Sequence, residues 1–216
     1  MAGFSAAFQV WQSHGFIVRQ GAGQLRCGWQ PPLDGFSLLG RAFNIAVAIP
    51  LALLALPVVL IAAILVALTS RGPVLFLQER VGRFEKPFLC CKLRTMDQFT
   101  RSLPTHEVGN DAVTPAGQWL RRFKFDELPQ LWNVLTGDMN LVGPRPCLPT
   151  QFDLIRRRRE LGVYTIRPGI TGLSQVRGID MSTPETCAVT DAEYLANRSL
   201  SMDMKILFAT LTRSFR

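Results

Sequence analysis

Two adjacent carboxylates, Asp126 and Glu127, sit in the stretch FDELPQLWNVL (Phe125 to Leu135), just ahead of a proline and an apolar run. Proline is tolerated in the first turn of a helix, where its missing N–H has no intrahelical partner to lose. Pro129 therefore predicts a helix that begins at about Asp126 or Glu127. That start places both carboxylates at the positive end of a helix dipole, which also attracts phosphate. An anionic nucleophile and a phosphorylated substrate can share such a place if cations stand nearby, and Arg121 and Arg122 lie one turn upstream. An ordinary aspartate has a pKa of about 3.9, so Asp126 is ionised at neutral pH unless burial prevails; nearby arginines and the helix end oppose burial.

The elements that must position this pair are legible on both sides of it. PVLFLQERVG (Pro73 to Gly82) and KPFLCCKLRTM (Lys86 to Met96) are β-prone stretches split by a polar turn, Arg83 to Glu85, and predict a β-hairpin. Thr100 to Val113 is polar and irregular; Thr114-Pro115 then caps a predicted helix from Ala116 to about Lys124. Further helices are predicted over about Pro129 to Leu135 and Thr150 to Leu161. GDMNLVGPRP (Gly137 to Pro146) and IRPGITGLSQVRG (Ile166 to Gly178) are dense in glycine and proline and read as loops whose backbone can approach a ligand closely. Near the end, Met204, Leu207, Leu211 and Phe215 fall at helical spacing, an amphipathic helix for the domain or a membrane surface.

The chain has 216 residues, with 24 Lys and Arg against 16 acids and a formal charge of +8. This length suits one soluble-type domain, or a smaller one plus a membrane element. The charge favours nucleic acid, an anionic membrane or a phosphorylated substrate. From Phe43 to Leu68 the sequence is apolar except for Asn44, longer than the roughly 20 residues that cross a bilayer core of about 30 Å. The run starts too late and is too long for a cleaved secretion signal. Pro50 and Pro57 interrupt it, and both flanks are basic: Arg19, Arg26 and Arg41 before, Arg71, Arg80, Arg83 and Lys86 after. A kinked single span would put one basic flank on the wrong side; a helix that enters, bends at Pro57 and returns satisfies both. Residues 1 to about 36, with scattered glycines and prolines, read as a loosely ordered cytoplasmic arm. The five cysteines lack a C-x-x-C spacing and read as free thiols in a reducing compartment.

Four motifs, GPVLFLQERVGR, KLRTM, LRRFKFDELPQLWNVLTGDMNLVGPRP and RPGITGLSQVRG, stand here in the order and spacing of a known family. From Gly40 to its end the chain resembles the bacterial sugar transferases, the monotopic polyprenyl-phosphate phosphoglycosyltransferases. The resemblance implies a mainly α fold with a small β-hairpin, a re-entrant membrane helix bent at Pro57, amphipathic interfacial helices and a compact cytoplasmic catalytic domain. The expected divisions are an arm over residues 1–39, the membrane helix over 40–69 and the catalytic domain over 70–216. It also implies transfer of a sugar 1-phosphate from a nucleotide diphosphate sugar, expected to be a UDP-hexose, to undecaprenyl phosphate. That step starts an exopolysaccharide, capsule, O-antigen or glycoprotein glycan at the cytoplasmic leaflet of the bacterial inner membrane, with downstream glycosyltransferases as further partners.

By the same resemblance Asp126 is the nucleophile that carries a covalent phosphosugar, and Glu127 the second catalytic carboxylate, assigned to Mg²⁺. Carboxylates serve as covalent phosphoryl acceptors, and Mg²⁺ is commonly held by one or two carboxylates plus substrate phosphates. Lys92, Arg94, Arg121, Arg145 and Arg167 match basic motif positions that bind substrate phosphate, with Arg121 and Arg145 nearest the transferred group. Asn44 stands where the family commonly has aspartate, which puts an ion pair there in doubt; Phe123 and Lys124 stand where small hydroxyl residues are common. The run Arg156 to Arg159 lies outside the motifs and is expected to spread around a helix and bind headgroups or water. His14 and His106 form no catalytic pairing. A basic membrane-bound adaptor derived from the same family is the alternative; a nucleic-acid binder lacks any recognisable motif.

Overall fold

The apolar run folds as α1 (Gly35–Thr69), one helix that continues through both Pro50 and Pro57. The computed structural model describes residues 35–96 and 113–214. Most of the expected arm lies outside them, as do Cys27, His14, His106 and nearly all of the polar stretch Thr100 to Val113. Among the described residues α1 is the one helix long and apolar enough to cross a membrane. Leu53, Leu54 and Leu68 are 67%, 73% and 79% exposed, an apolar surface suited to lipid and too continuous for water.

Where α1 meets protein its side chains are small or polar: Asn44, Ala48, Ala62 and Val66 are its buried residues. Small side chains let another backbone come close. Val47, Ala48 and Ala52 pack in a cluster with Leu131, Val134, Met139 and Ile206, whereas Val59, Ala62 and Val66 pack with Leu93, Leu120 and Phe125. Hydrogen bonds tie down both ends. Arg41 donates to the carbonyls of Val134 (2.5 Å) and Leu135 (2.8 Å), and Arg94 donates to Ser70 O (2.9 Å) and Oγ (2.8 Å) just past the other end. Asn44 donates to Gly40 O and accepts from the Leu141 N–H, both at 2.6 Å. An ionised carboxylate accepts but cannot donate, so the amide suits this position and no ion pair is needed.

The hairpin forms as expected. β1 (Leu75–Val81) and β2 (Pro87–Leu93) pair antiparallel from Leu75 opposite Leu93 to Val81 opposite Pro87, around a 3-10 turn at Arg83–Glu85. α2 (Pro115–Arg122) is capped by Thr114, whose hydroxyl accepts from Gly117 N at 3.0 Å. α3 (Gln130–Thr136) and α4 (Phe152–Glu160) fall on the expected segments.

The two glycine- and proline-rich segments are more than loops. They hold β3 (Asn140–Val142) and β4 (Gly169–Thr171), paired in parallel, followed by α5 (Leu173–Arg177). Strands this short and this buried show no alternation of polar and apolar residues, so their punctuation dominates the pattern. A Cβ on Gly169 would lie 2.1 Å from Gly143 N; the glycines let these two backbones touch. α6 (Pro184–Asn197) has no counterpart in the sequence expectation. α7 (Leu200–Ser214) does, but its exposed stripe is Leu200, Met204, Phe208 and Leu211, while Leu207 packs on the core and Phe215 lies outside the described residues.

The basic run on α4 is not a free cationic patch. Its four arginines spread around the helix, and each meets a carboxylate: Arg156 with Asp153, Arg157 with Glu160 and Glu185, Arg158 with Asp191, and Arg159 with Glu85. Arg158 is only 1% exposed. Its Nε and Nη2 donate to Asp191 Oδ2 at 2.9 and 2.6 Å, and its Nη1 to the carbonyl of Arg145 at 2.8 Å. Ser174 donates to the other Asp191 oxygen at 2.7 Å. Burial disfavours the Arg158 charge, yet Asp191 together with the smaller contributions of Cys147, Cys187 and Tyr164 outweighs it and raises the guanidinium pKa. Removing one member of such a pair strands the other charge. Arg158→Met is expected to destabilise the chain by about 3–5 kcal/mol, and Arg158→Met with Asp191→Leu by less than the two single changes together, read from thermal unfolding in detergent micelles.

Candidate active site

Asp126 and Glu127 occupy a separate 3-10 turn, Phe125–Glu127, one turn ahead of α3 rather than within its first turn. Lys124, at φ 56°, swings the chain out of α2 and into this turn, a left-handed conformation that costs a side-chain-bearing residue about 1–2 kcal/mol. The amides of Glu127 and Leu128 then bond three residues back, to Lys124 O and Phe125 O. Pro129, which has no N–H to give, is the N-cap of α3.

The turn buries Asp126 and leaves the Glu127 side chain 15% exposed. Lys92, from β2, donates to Glu127 Oε1 at 3.2 Å. Arg145, from the segment after β3, donates to the same oxygen at 2.5 Å and faces Oε2 at 3.5 Å. Burial opposes ionisation of Glu127, but Arg145 and Lys92 outweigh it and hold the carboxyl well below the usual range. Its neighbour moves the other way. Burial, and then the Glu127 charge, push the Asp126 carboxyl up, against the smaller pull of Lys92 and Arg121. Two adjacent carboxyls whose environments drive their pKa values apart are suited to different roles: Glu127 is a fixed anion, Asp126 a basic and poorly stabilised one.

The structure gathers three of the expected cations around the pair. Besides Lys92 and Arg145, Arg121 donates through Nε to Thr95 Oγ1 at 2.9 Å, and its charge acts on both Asp126 and Glu127. The other two lie elsewhere. Arg94 spends its hydrogen bonds on Ser70 at the end of α1. Arg167 donates through Nε to Gly137 O at 2.7 Å, at the far end of α3, where its charged neighbours are Arg83, Arg41, Arg198 and Asp138.

Two residues that position the site escaped the sequence expectation. Asn133 accepts from Cys91 N at 3.0 Å and donates to Leu89 O at 2.8 Å, so it staples α3 to the strand that carries Lys92. Its mark in the sequence is a lone polar residue within the apolar run Leu131 to Leu135. Arg80, in the sequence only one of the basic residues flanking the apolar run, is buried and donates to Pro146 O at 3.0 Å and Gln78 Oε1 at 2.6 Å. With Cys90, Lys92, Gln130, Arg145 and Pro146 it lines a small cavity. The four cysteines described, Cys90, Cys91, Cys147 and Cys187, are free thiols.

Residues 36–216 match the family described as bacterial sugar transferase. The chain is 40% identical over 197 residues to the UDP-glucose:undecaprenyl-phosphate glucose-1-phosphate transferase of Caulobacter vibrioides, covering 87% of this chain and 73% of that one. It is 38% identical over 197 residues to the Escherichia coli protein of the same name, covering 87% of this chain but 42% of the relative. The exopolysaccharide production protein ExoY of Sinorhizobium fredii is 34% identical over 214 residues, with 91% of each chain covered. The chain thus spans less than half the length of some relatives and nearly all of others.

The opposite shifts of the two carboxyls have opposite linkage. Glu127, with its folded pKa depressed, contributes stability above the unfolded value of about 4.3 that is lost as pH falls toward the depressed folded value. Asp126, with its folded pKa raised, favours the fold only while protonated, and that contribution is lost as pH rises through the raised value. At pH 7 Glu127→Gln is therefore expected to lower the melting temperature and Asp126→Asn to raise it. Melting curves from pH 4 to 8 check this, and the gain from Asp126→Asn should shrink toward the acid end.

Proposed function

The chain belongs to the bacterial sugar transferase family, and from that membership we propose that it transfers a sugar 1-phosphate from a UDP-hexose to undecaprenyl phosphate through a covalent intermediate on Asp126. The observation that carries the mechanism is the divergence of the two carboxyls. Lys92 and Arg145 bind Glu127, which leaves Asp126 the more basic oxygen donor in an electropositive setting. An Asp126 oxygen attacks the phosphorus bonded to the sugar. The bond from that phosphorus to the bridging oxygen breaks, and the nucleoside monophosphate leaves with the electron pair. An oxygen of the lipid phosphate then attacks the same phosphorus and releases the Asp126 carboxylate, which yields a lipid diphosphate sugar.

Lys92, Arg121 and Arg145 supply positive charge as the diphosphate separates. Arginine grips phosphate with a planar fork, lysine as a point charge. A Mg²⁺ ion fits this arrangement on Glu127, since Oε2 has only the 3.5 Å approach of Arg145 and an ionised carboxylate offers about four lone-pair sites. The described residues hold no group of three or more acid, histidine or cysteine ligands, so substrate phosphates would complete the set. When bound, the ion would neutralise charge developing on the leaving phosphate. Relatives named for undecaprenyl-phosphate transfer and exopolysaccharide production favour assembly of such a glycan as the setting. A family-derived adaptor without activity would have no use for a buried Asp126 held at a cost to stability.

A re-entrant α1, bent near Pro57, with the catalytic part on the cytoplasmic face of the inner membrane, completes the proposal. Its support is that Arg41 at one end and Ser70 just past the other both bond to the same catalytic unit, as two ends on one face would require. Single cysteines at Arg26 and Lys86, in a background lacking the native ones, are expected to resist an impermeant thiol reagent in intact cells. Labelling at position 26 alone would favour a single span.

Turnover is tested by release of nucleoside monophosphate from a UDP-hexose in the presence of Mg²⁺ and undecaprenyl phosphate. Asp126→Asn is expected to lose at least roughly 10³-fold in rate, and EDTA to abolish release by wild type. Donor added without lipid should leave one phosphosugar on Asp126 by intact mass. Near-normal turnover by folded Asp126→Asn would overturn the covalent assignment.

A further inference from the structure

Arg167 was expected at the catalytic pair, but it sits at the opposite end of α3. The seven residues of α3 lie between Gly137 and the turn that carries Asp126, a rise of about 10 Å, beyond the reach of one phosphate. Two guanidiniums converge on Gly137: Arg167 donates to its carbonyl, and Arg41 Nη2 would lie 3.4 Å from a Cβ placed there. Arg83 joins them from the hairpin turn: its Nε donates to the carbonyl of Thr165 at 2.8 Å, two residues from Arg167. All three are half-buried, and among the described residues none forms a salt bridge. Burial, then repulsion from Arg83, Arg41 and Arg198, makes the Arg167 charge harder to hold, with only Asp138 opposing. Asp138 itself accepts from Thr136 Oγ1 at 2.8 Å.

Cations without carboxylates contrast with α4, where every arginine has one. Repulsion of this kind is relieved by an anion from outside the protein. Arg41 stands at the start of the membrane-type helix, beside Leu39, 75% exposed. Arg83 lies 4.5 Å from the centre of the Phe84 ring, 58% exposed at the tip of the turn. Guanidiniums flanked by exposed apolar side chains match a phosphate that carries acyl or prenyl chains better than a soluble one. We propose that Arg41, Arg83 and Arg167 form a binding site for the phosphate headgroup of a membrane lipid, separate from the catalytic pair. The site holds the far end of α3 at the headgroup level, and Arg41 and Arg167, bonded to α3 carbonyls, keep their remaining N–H groups for the lipid.

The test uses the full chain in non-ionic detergent, titrated with dioleoyl phosphatidylglycerol, with undecaprenyl phosphate and with inorganic phosphate, and counts bound ligand by native mass spectrometry. Arg83→Gln with Arg167→Gln is expected to weaken lipid binding about tenfold or more, while Arg156→Gln, an exposed control, leaves it unchanged. Weakening for phosphatidylglycerol, alone or with undecaprenyl phosphate, assigns the site to bilayer phospholipid; weakening confined to undecaprenyl phosphate assigns it to the prenyl monoester. Either upholds the proposal. If the double variant melts below wild type, Arg83→Gln alone, which gives up one bond to Thr165 O, repeats the measurement with the same expected direction. Unchanged lipid binding by the folded variants, or inorganic phosphate bound as well as either lipid, overturns it. The readout is binding rather than turnover, so it can fail while the transferase proposal stands, or stand while that one fails.

Discussion

The ion pair between Arg158 and Asp191 is the interaction on which the site depends. Arg158 reaches through the interior to the backbone carbonyl of Arg145, and the Arg145 side chain binds Glu127. Glu127, held ionised, adds to the effect of burial in pushing the Asp126 carboxyl up. A charge pair between α4 and α6 is thus joined, through Arg145, to the carboxylate beside Asp126. Buried ion pairs contribute little net stability against a well-packed apolar core. What this one supplies is direction: it fixes where the carbonyl of Arg145 lies, and so where the guanidinium can reach.

How much of this was legible in the sequence depended on the range of the forces involved. The hairpin, the Thr114 cap and α1 announce themselves through local pattern and turn residues, and they lie where expected. The catalytic pair was visible because two carboxylates stand in a motif, yet the 3-10 turn beneath them was not, since it follows from Lys124 adopting a left-handed conformation that propensity disfavours. Arg158 could not be told from Arg156, Arg157 and Arg159: four identical neighbours carry no mark of which one faces the interior, and its partner Asp191 lies on a helix that was missed. Arg94 and Arg167 were drawn to the active site by motif membership, but a motif preserves residue type and says nothing of direction. Both turned out to bond elsewhere.

The two carboxylates also show how a site resists the stability of its own fold. Glu127 is satisfied by its neighbours and contributes to the folded state at neutral pH, while Asp126 is buried beside that negative charge without a cation of its own. Natural proteins commonly accept such local losses where chemistry requires them. Here the loss is confined to one side chain, because Lys92 and Arg145 both favour the adjacent residue. A larger share of those cations would pull the Asp126 carboxyl down, against burial, and make it a weaker base.

On the proposed function and the proposed headgroup site, α3 is the spacer between two kinds of phosphate chemistry. It is a seven-residue helix, with the catalytic turn before it and Gly137, the meeting point of Arg41 and Arg167, after it. α1 packs against both ends of the arrangement: its first half rests on the cluster that includes Leu131 and Val134, and its second half on Phe125, the first residue of the catalytic turn. Any change in how α1 sits in a membrane is therefore felt at the headgroup cluster and at the catalytic turn together. The contacts are made by alanines and valines, which have few rotamers with which to absorb a displacement. Movement of the helix must pass into the domain as a shift of backbone, and the shortest route runs through Phe125 to Asp126.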